Sequence, residues 1–324
     1  MILNQGKLHW FSDVFIIGDK LYSNTIHQEC EIKVAFNSTI KILPAYRWED
    51  KMWKEKILSA DITIDSAFLH KRHVVSGYSH IIGDECFPMF YMLEKNKINI
   101  DGILSLNNLQ RKSPLVENWS NWIRSFTPYD IIHENYVKEG VANIFIKNAY
   151  CGWQTNSWTK RDKNFDFKSY PNSIRKRMNV SDSYNPKKII FEVRSGDRRN
   201  ILNLEDIKKS FTDLDVEFVD MASLSFKEQI EKVFNAGIFI AQHGAGLTNS
   251  IFMRQEAKVI ELLPETYSDY DAYQMFVSMF GGNYIKHIEP KENCREKDIK
   301  DAKAKNRDQD LIIDTEKLKA KILR

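Results

Sequence analysis

The sequence has few cysteines, no long apolar run and no marked excess of either charge. Its four cysteines are widely spaced and include no C-x-x-C pair, which argues against a disulfide framework and a structural zinc site. Free thiols are typical of a reducing compartment. The longest apolar runs, such as Val14–Ile17 and Ile238–Ala241, are too short to span a bilayer. The 47 basic and 44 acidic residues leave a net charge of +3, which does not favour a dedicated nucleic-acid-binding protein.

The first seven residues, Met1–Lys7, contain no apolar stretch of the kind that forms the core of a signal peptide. We therefore expect a cytoplasmic protein with no leader and no membrane-spanning segment. Hydrophobic residues make up 43% and charged residues 28% of the chain, as in ordinary globular proteins. A length of 324 residues is enough for about two domains.

The order of predicted strands and helices divides the chain at the polar, proline-containing segment Ser181–Pro186. We expect residues 1–180 to form a first domain with short strands and with helices at Asp84–Leu93 and Ser113–Phe126. In residues 186–290, apolar strand-like runs alternate with helical patterns. This alternation predicts an α/β domain built on a doubly wound parallel sheet.

The C-terminal segment, residues 291–324, is rich in charge of both signs. It holds eleven basic and eight acidic residues, and mixed charges at this density are typical of a solvated surface. Asp314 or Thr315 is expected to cap a short final helix, with Leu318 and Ile322 on its inward face.

The most informative motif is His243–Asn249, which has the sequence His-Gly-Ala-Gly-Leu-Thr-Asn. It follows a predicted strand and precedes a predicted helix. Its glycines let the backbone approach a ligand closely, and the N–H groups at the start of the helix attract an anion such as phosphate. Asn249 stands where a dinucleotide-binding fingerprint has its third glycine. A tight turn without a ligand is the structural alternative.

A second candidate segment, Arg194–Asn203, comes just after the predicted strand Lys188–Val193. Ligands of open α/β sheets bind outside the carboxyl ends of the strands, so we expect this loop and the glycine-containing loop to flank one crevice. Arginine side chains there can pair bidentately with a diphosphate. Salt bridges within a surface loop are the alternative.

A third candidate group is His80, Asp84 and Glu85 at the predicted helix near residue 84. In a helix, His80 and Asp84 share a face, whereas Glu85 points about 100° away from Asp84. A carboxylate or a His–Asp pair on that face could act as a general base. The alternative is an acidic helix N-terminus. We interpret the two D-x-D triplets, Asp213–Asp215 and Asp269–Asp271, as chance occurrences.

Taken in order, these motifs and the segment Val259–Pro264 resemble family 61 of the glycosyltransferases. The resemblance spans about residues 75–290. It implies the GT-B architecture, in which two Rossmann-like domains face a cleft. It also implies inverting transfer of xylose or N-acetylglucosamine from a UDP-sugar to a hydroxyl of a glycan or glycoprotein, with no metal or other cofactor required.

The resemblance assigns roles to individual residues. It places the nucleotide in the C-terminal domain, where Arg194, Arg199 and Asn203 match the family's arginine–asparagine motif. Glu261 matches an acid at the end of the next strand, positioned to meet a ribose hydroxyl. The acceptor is expected in the N-terminal domain at His80 and Asp84, with Glu85 as another candidate base. The family's glycine loop corresponds to His243, Gly244, Ala245, Gly246, Leu247, Thr248 and Asn249.

Other functions remain open at this point. One is a sugar- or nucleotide-binding protein without transfer activity. Another is a hydrolase that uses His243–Gly246 as an oxyanion-hole loop, although the sequence has no G-x-S-x-G nucleophile elbow. A glycoside hydrolase using Asp84 and a second carboxylate is a third.

Overall fold

The computed structural model describes residues 2–3, 8–17, 20–35, 38–45, 50–70, 78–106, 119–133, 143–152, 164–296 and 299–324. The chain divides into two units, Met1–Ser157 and Trp158–Arg324. Each unit is built on its own sheet and contains both strands and helices. The expectation of an α/β fold is thereby confirmed.

The N-terminal unit has a nine-stranded sheet with the order β4-β5-β3-β2-β9-β6-β7-β8, and β1 pairs with β2. The strands are β1 (Ile2–Leu3), β2 (Leu8–Ile17), β3 (Lys20–Ser23), β4 (Cys30–Ala35), β5 (Ser38–Pro44), β6 (Ile62–His70), β7 (Gly102–Ser105), β8 (Ile131–His133) and β9 (Asn143–Gly152). The helices are α1 (Asp50–Leu58), α2 (Tyr78–His80), α3 (Phe87–Lys95) and α4 (Trp119–Phe126), and a π-helical segment, Ile81–Cys86, joins α2 to α3. The first part of the helix expected at Ser113–Phe126, residues 113–118, lies outside the described residues.

This sheet is mixed, whereas the sequence predicted a Rossmann-like domain. Strands β9, β6, β7 and β8 run parallel. On the other side, β2 is antiparallel to both β9 and β3. Only two residues separate β2 from β3, and a parallel crossover needs a dozen or more. The Rossmann-like description therefore fits the parallel half of the sheet alone.

The C-terminal unit has a five-stranded, all-parallel sheet with the order β11-β10-β12-β13-β14. Its strands are β10 (Asn185–Glu192), β11 (Val216–Val219), β12 (Ala236–Gln242), β13 (Lys258–Pro264) and β14 (Asn283–Glu289), with a small separate pair, β15 (Cys294–Arg295) and β16 (Asp310–Leu311). The α-helices are α5 (Ser169–Arg177), α6 (Leu204–Ser210), α7 (Phe226–Phe234), α8 (Ala272–Met279), α9 (Ala302–Arg307) and α10 (Thr315–Leu323). Short 3₁₀ helices cover Met221–Ser223, Ala245–Phe252, Glu265–Tyr267 and Lys291–Asn293. The alternation of strands and helices thus produces the parallel sheet that it predicted.

Local sequence signals fix several of these elements. Ser225 and Glu228 form a capping box at the start of α7. Asp314 caps α10 by accepting a hydrogen bond from the backbone N–H of Lys317. Leu318 and Ile322 of that helix are buried against the sheet, as expected.

Helix α5 belongs to the C-terminal unit, although the sequence placed the linker after it at residues 181–186. Its Tyr170 and Ile174 are fully buried. The guanidinium of Arg175 lies 3.7 Å from the centre of the Phe234 ring of α7. These contacts explain why the unit boundary falls near residue 157 rather than at the polar segment.

The residues Asp308–Leu311 and Ile313 are buried, which differs from the expected solvated surface. Asp308 and Leu311 have no exposed area, and Gln309 retains 1%. The backbone of this segment is held by the loop after β10, where the N–H of Leu202 donates to the carbonyl of Leu311. Among the described residues, no helix is long and apolar enough to cross a bilayer.

Candidate functional site

The carboxyl ends of β10 and β12 bring the arginine loop and the glycine loop together. The two strands are neighbours in the parallel sheet, so the segments that follow them leave the sheet at the same edge. Arg199 donates a hydrogen bond from Nη1 to the carbonyl oxygen of His243, at 3.0 Å. A Cβ added to Gly244 would lie 2.8 Å from Nη1 of Arg194 and 2.8 Å from Nη1 of Arg199. Two guanidinium groups therefore converge on this glycine.

The convergence of two positive charges makes this edge of the sheet an anion-attracting site. Burial lowers the pKa of Arg199, and the charge of Arg194 lowers it further, although Asp308 acts in the opposite direction. Among the described residues, no side chain or backbone group hydrogen-bonds to the guanidinium of Arg194 or forms an ion pair with it, and this side chain is partly exposed. An anion bound at Gly244 would satisfy Arg194 and relieve the repulsion between the two arginines.

Asp308 fixes the arginine loop from the C-terminal segment. Its buried carboxylate lies 2.8 Å from Nη1 of Arg198, 3.5 Å from Nε of Arg199 and 2.6 Å from Nε of Arg307. Burial raises the pKa of Asp308, but the hydrogen bond from Arg307 and the charges of Arg199 and Arg198 hold it below its ordinary value. Arg199 is thereby anchored, while Arg194 keeps its donors available.

Asn203 holds the same segment in place. Its Nδ2 donates to the carbonyl of Ile313 at 2.8 Å, and its Oδ1 accepts from the N–H of Ile313 at 2.8 Å. Both polar atoms of the amide are therefore engaged with the backbone. The sequence grouped Asn203 with the nucleotide-binding residues, and the structure gives it a contact that positions the loop.

The carboxylate of Glu261 is engaged by protein side chains. Its Oε1 lies 2.6 Å from Nδ1 of His243, and the hydroxyl of Tyr284 donates to its Oε2. The side chain is 1% exposed. Burial raises the pKa of Tyr284, and the negative charge of Glu261 raises it further. In the structure both oxygens position His243 and Tyr284, and the contact of Glu261 with a ribose hydroxyl stays a prediction.

Three tyrosines surround His243, and sequence reasoning did not identify them. The centres of the Tyr267, Tyr270 and Tyr273 rings lie 5.0, 5.3 and 5.3 Å from the centre of the imidazole. Tyr267 and Tyr270 are also stacked on each other, and Tyr270 is 39% exposed. The three tyrosines are spaced three residues apart in the sequence, and this spacing could have indicated that they share one face. Aromatic faces of this kind can stack on a nucleobase or a sugar ring.

The remaining residues of the glycine loop support its backbone. Leu247, Thr248 and Asn249 are buried, and Nδ2 of Asn249 donates to Oε1 of Gln229 in α7 at 3.0 Å. Ala245 and Gly246 are half-buried and begin the 3₁₀ helix Ala245–Phe252. This arrangement anchors one end of the loop in the core.

Gly246 lies against Glu192, the last residue of β10, and this contact gives a stability prediction. An alanine Cβ at Gly246 would lie 2.1 Å from Oε2 of the buried Glu192, whereas one at Gly196 would meet nothing within 4 Å. We expect Gly246→Ala to lower the free energy of unfolding by about 1–3 kcal/mol through overpacking. Gly196→Ala, in the adjacent arginine loop, should stay within about 0.5 kcal/mol of wild type. Urea denaturation measures both, and equal stabilities would contradict the close contact.

The N-terminal candidates lie in the helical stretch from Tyr78 to Lys95. His80 ends α2 and is exposed, while Glu85 is 6% exposed and its Oε2 lies 3.4 Å from Nε2 of His70. Asp84 lies on the π-helical segment Ile81–Cys86, and its side chain is outside the described residues. Segments of π-helix are frequent at functional sites. The structure thus separates buried Glu85 from exposed His80.

At least one aspartate of each D-x-D triplet forms an ion pair with a lysine. Asp271 pairs with Lys286, and Asp213 lies 2.7 Å from Nζ of Lys319. Within the ranges that the structure describes, no group of three His, Cys, Asp or Glu side chains is placed to hold a metal ion.

Comparisons with known proteins identify a family that this chain matches. The family model described as Glycosyltransferase 61 matches residues 9–260. The chain is 30% identical to the EGF domain-specific O-linked N-acetylglucosamine transferase of Gallus gallus over 163 residues, which is 45% of this chain and 30% of that protein. It is 28% identical to the Mus musculus protein of the same name over 189 residues, or 53% of this chain and 35% of the relative. It is 22% identical to the β-1,2-xylosyltransferase XAX1 of Oryza sativa subsp. japonica over 269 residues, or 78% of this chain and 45% of the relative. The matched part of the chain thus spans less than half the length of these relatives.

Proposed function

The chain belongs to glycosyltransferase family 61, and on that premise we propose that it transfers a sugar from a UDP-sugar to a hydroxyl group of a glycan or glycoprotein. The supporting observation is the convergence of the Arg194 and Arg199 guanidinium groups on Gly244. A diphosphate carries two negative charges next to each other. Two guanidinium groups and the start of the Ala245–Phe252 helix offer matching positive charge and N–H donors.

In this proposal, each part of the site has a separate task. Arg194 binds the diphosphate through its guanidinium group. Arg199 also binds it, from a position fixed by Asp308. The stacked Tyr267 and Tyr270 beside His243 offer a surface for the base or the sugar. Asn203 acts by holding the arginine loop, and Glu261 acts by orienting His243.

The proposed chemistry is inverting and independent of metal ions. When the bond between the sugar and UDP breaks, negative charge grows on the departing diphosphate. Arg194 and Arg199 stabilise that charge electrostatically, which is the task that a divalent cation performs in other enzymes. We therefore propose that no metal or other cofactor is required. The relatives' names include N-acetylglucosamine and xylose, and we propose one of these as the sugar.

The acceptor side is proposed for the N-terminal unit, in keeping with the GT-B organisation expected from the sequence. Asp84, assisted by His80, removes the proton from the acceptor hydroxyl. The acceptor oxygen then forms a bond to the anomeric carbon while the bond to UDP breaks on the opposite face, and the configuration inverts. Glu85 is a weaker candidate for the base because it is buried beside His70.

The proposal is tested by incubating the purified protein with UDP-N-acetylglucosamine or UDP-xylose and a panel of glycans and glycopeptides. We expect acceptor-dependent release of UDP that persists in EDTA, and a β-linked product by NMR. Binding of a UDP-sugar without UDP release under any condition would instead indicate a non-catalytic binding protein. Hydrolysis of a glycoside without any nucleotide would indicate a hydrolase.

A further inference from the structure

A buried carboxyl group lies directly beneath the proposed diphosphate site. Glu192 is the last residue of β10, and it is 7% exposed. Its Oε2 has no hydrogen-bond partner among the described residues. A Cβ at Gly246 would lie 2.1 Å from this oxygen and 2.3 Å from Oε1, so the carboxyl group packs against the backbone of the glycine loop. Buried polar atoms without partners are rare and call for an explanation.

The charged groups that face Glu192 come from two segments. Arg194 and Arg199, in the loop after β10, favour its ionised form, whereas Asp220, which follows β11, opposes it. Asp220 itself accepts a hydrogen bond from the Ser195 hydroxyl at 2.6 Å. Burial is the largest influence, and it raises the pKa of Glu192 to about 7. The carboxyl group therefore changes its charge near neutral pH, close to the two arginines that converge on Gly244.

A bound diphosphate would compete with ionised Glu192 for the same arginines. Two neighbouring anions repel each other strongly where burial limits screening by water. A protonated carboxyl group removes this repulsion, leaves both guanidinium groups to the ligand and provides an O–H donor beside the loop. A carboxylic acid kept neutral at an apolar site is a known way to favour a bound anion.

We propose that Glu192 is part of the donor site and that a nucleoside diphosphate-sugar binds there together with one proton on the Glu192 carboxyl group. The inference rests on the proposed function, because it takes the diphosphate as the ligand at Gly244. It adds to that function a residue whose protonation makes the affinity for the anionic ligand depend on pH. The same placement explains why one oxygen of Glu192 has no hydrogen-bond partner in the part of the chain that the structure describes.

The direction of the pH dependence follows from the charge of Glu192. Below neutral pH the carboxyl group is neutral, and the affinity for the nucleoside diphosphate-sugar is highest. As pH rises through 7, the group ionises in the free protein, and binding must add a proton to it. Proton linkage limits the resulting loss of affinity to about tenfold between pH 6 and pH 8. Histidine side chains in general ionise in this range, so the comparison needs a variant that changes Glu192 alone.

The experiment is isothermal titration of UDP-N-acetylglucosamine and of UDP-xylose into the full chain at pH 6, 7 and 8, each in two buffers of different ionisation enthalpy. The sugar-linked diphosphate has no ionisation near neutral pH, so proton uptake reports on the protein. For wild type we expect affinity to fall up to about tenfold across this range, with net uptake approaching one proton per ligand between pH 7 and pH 8. Glu192→Gln should bind with little pH dependence and little uptake. Glu205→Gln, an exposed glutamate of α6, should behave as wild type.

The outcomes separate the two proposals. If wild type binds neither UDP-sugar at any pH, the proposed function is overturned. If wild type binds and Glu192→Gln shows the same pH dependence and proton uptake, the assignment to Glu192 is overturned and the function stands. If Glu192→Gln fails to fold, uptake in wild type still decides, because zero uptake between pH 7 and pH 8 contradicts the inference.

Discussion

Replacing Arg194 by alanine is expected to weaken UDP binding by about 1.5–3 kcal/mol, or roughly ten- to 150-fold in Kd. The reason is that its guanidinium lies at Gly244 and, among the residues described, forms no hydrogen bond or ion pair with a protein group. Charge-assisted hydrogen bonds to a diphosphate should therefore account for most of what this side chain does. Titration calorimetry with UDP measures the change directly, and the melting temperature of the variant without ligand should equal that of wild type.

Two matched variants sharpen this result. Arg194→Lys keeps the charge and loses the planar fork, so we expect an affinity between those of wild type and alanine. Arg198→Ala removes a neighbouring arginine that contacts Asp308 rather than Gly244, and its effect on UDP binding should be much smaller. Equal UDP affinity in wild type and Arg194→Ala would remove Arg194 from the site.

Replacing Asp84 by asparagine is expected to reduce transfer by about 10²–10⁴-fold, because an amide cannot accept the proton of the acceptor hydroxyl. The affinity for UDP should stay near that of wild type, since the proposed nucleotide-binding residues are in the C-terminal unit. Initial rates of UDP release with saturating donor give the first quantity, and titration with UDP gives the second.

The next residue in the chain provides the control for Asp84. Glu85→Gln makes the same chemical change one position later, at a buried side chain that faces His70. We expect it to lower stability while keeping measurable transfer. A rate loss confined to Glu85→Gln, with Asp84→Asn active, would exchange the roles of the two acids. Loss of UDP binding in Asp84→Asn would show that the defect is not limited to proton transfer.

The C-terminal sheet could be predicted from the sequence because its signals are local. The apolar runs at β10, β12 and β13 are short and continuous, as expected for strands buried on both faces. The capping residues Ser225 and Asp314 mark helix starts without reference to the rest of the chain. The glycine loop was visible for the same reason, since its place between a strand and a helix depends on adjacent residues.

The N-terminal sheet could not be predicted in the same way. Its β2 pairs with β9, more than a hundred residues further along the chain, and local periodicity carries no information about such partners. The sequence could show only that strands were present. The mixed direction of the sheet became apparent when the pairing was known.

Several site residues were missed because their signals resemble ordinary surface or core residues. Asp308 lies in a segment rich in charge of both signs, and such segments are usually solvated. Glu192 is one acid at the end of an apolar strand, and its relation to Gly246 exists in the fold alone. Glu261 was expected at the end of its strand but lies in the middle of β13, and its pairing with His243 and Tyr284 depends on contacts from two other segments.

The central claim is that the arginines and the glycine loop form a site for UDP, and a thermal-shift screen tests it most directly. Wild type and the Arg194→Ala/Arg199→Ala double variant are melted with UDP, GDP and CMP, with and without EDTA. A ligand at a hundredfold excess over its Kd stabilises the folded state by about 2.7 kcal/mol. We predict the largest rise in melting temperature with UDP, unchanged by EDTA and absent in the double variant. An absence of any shift with UDP, or an equal shift in the double variant, would contradict the account.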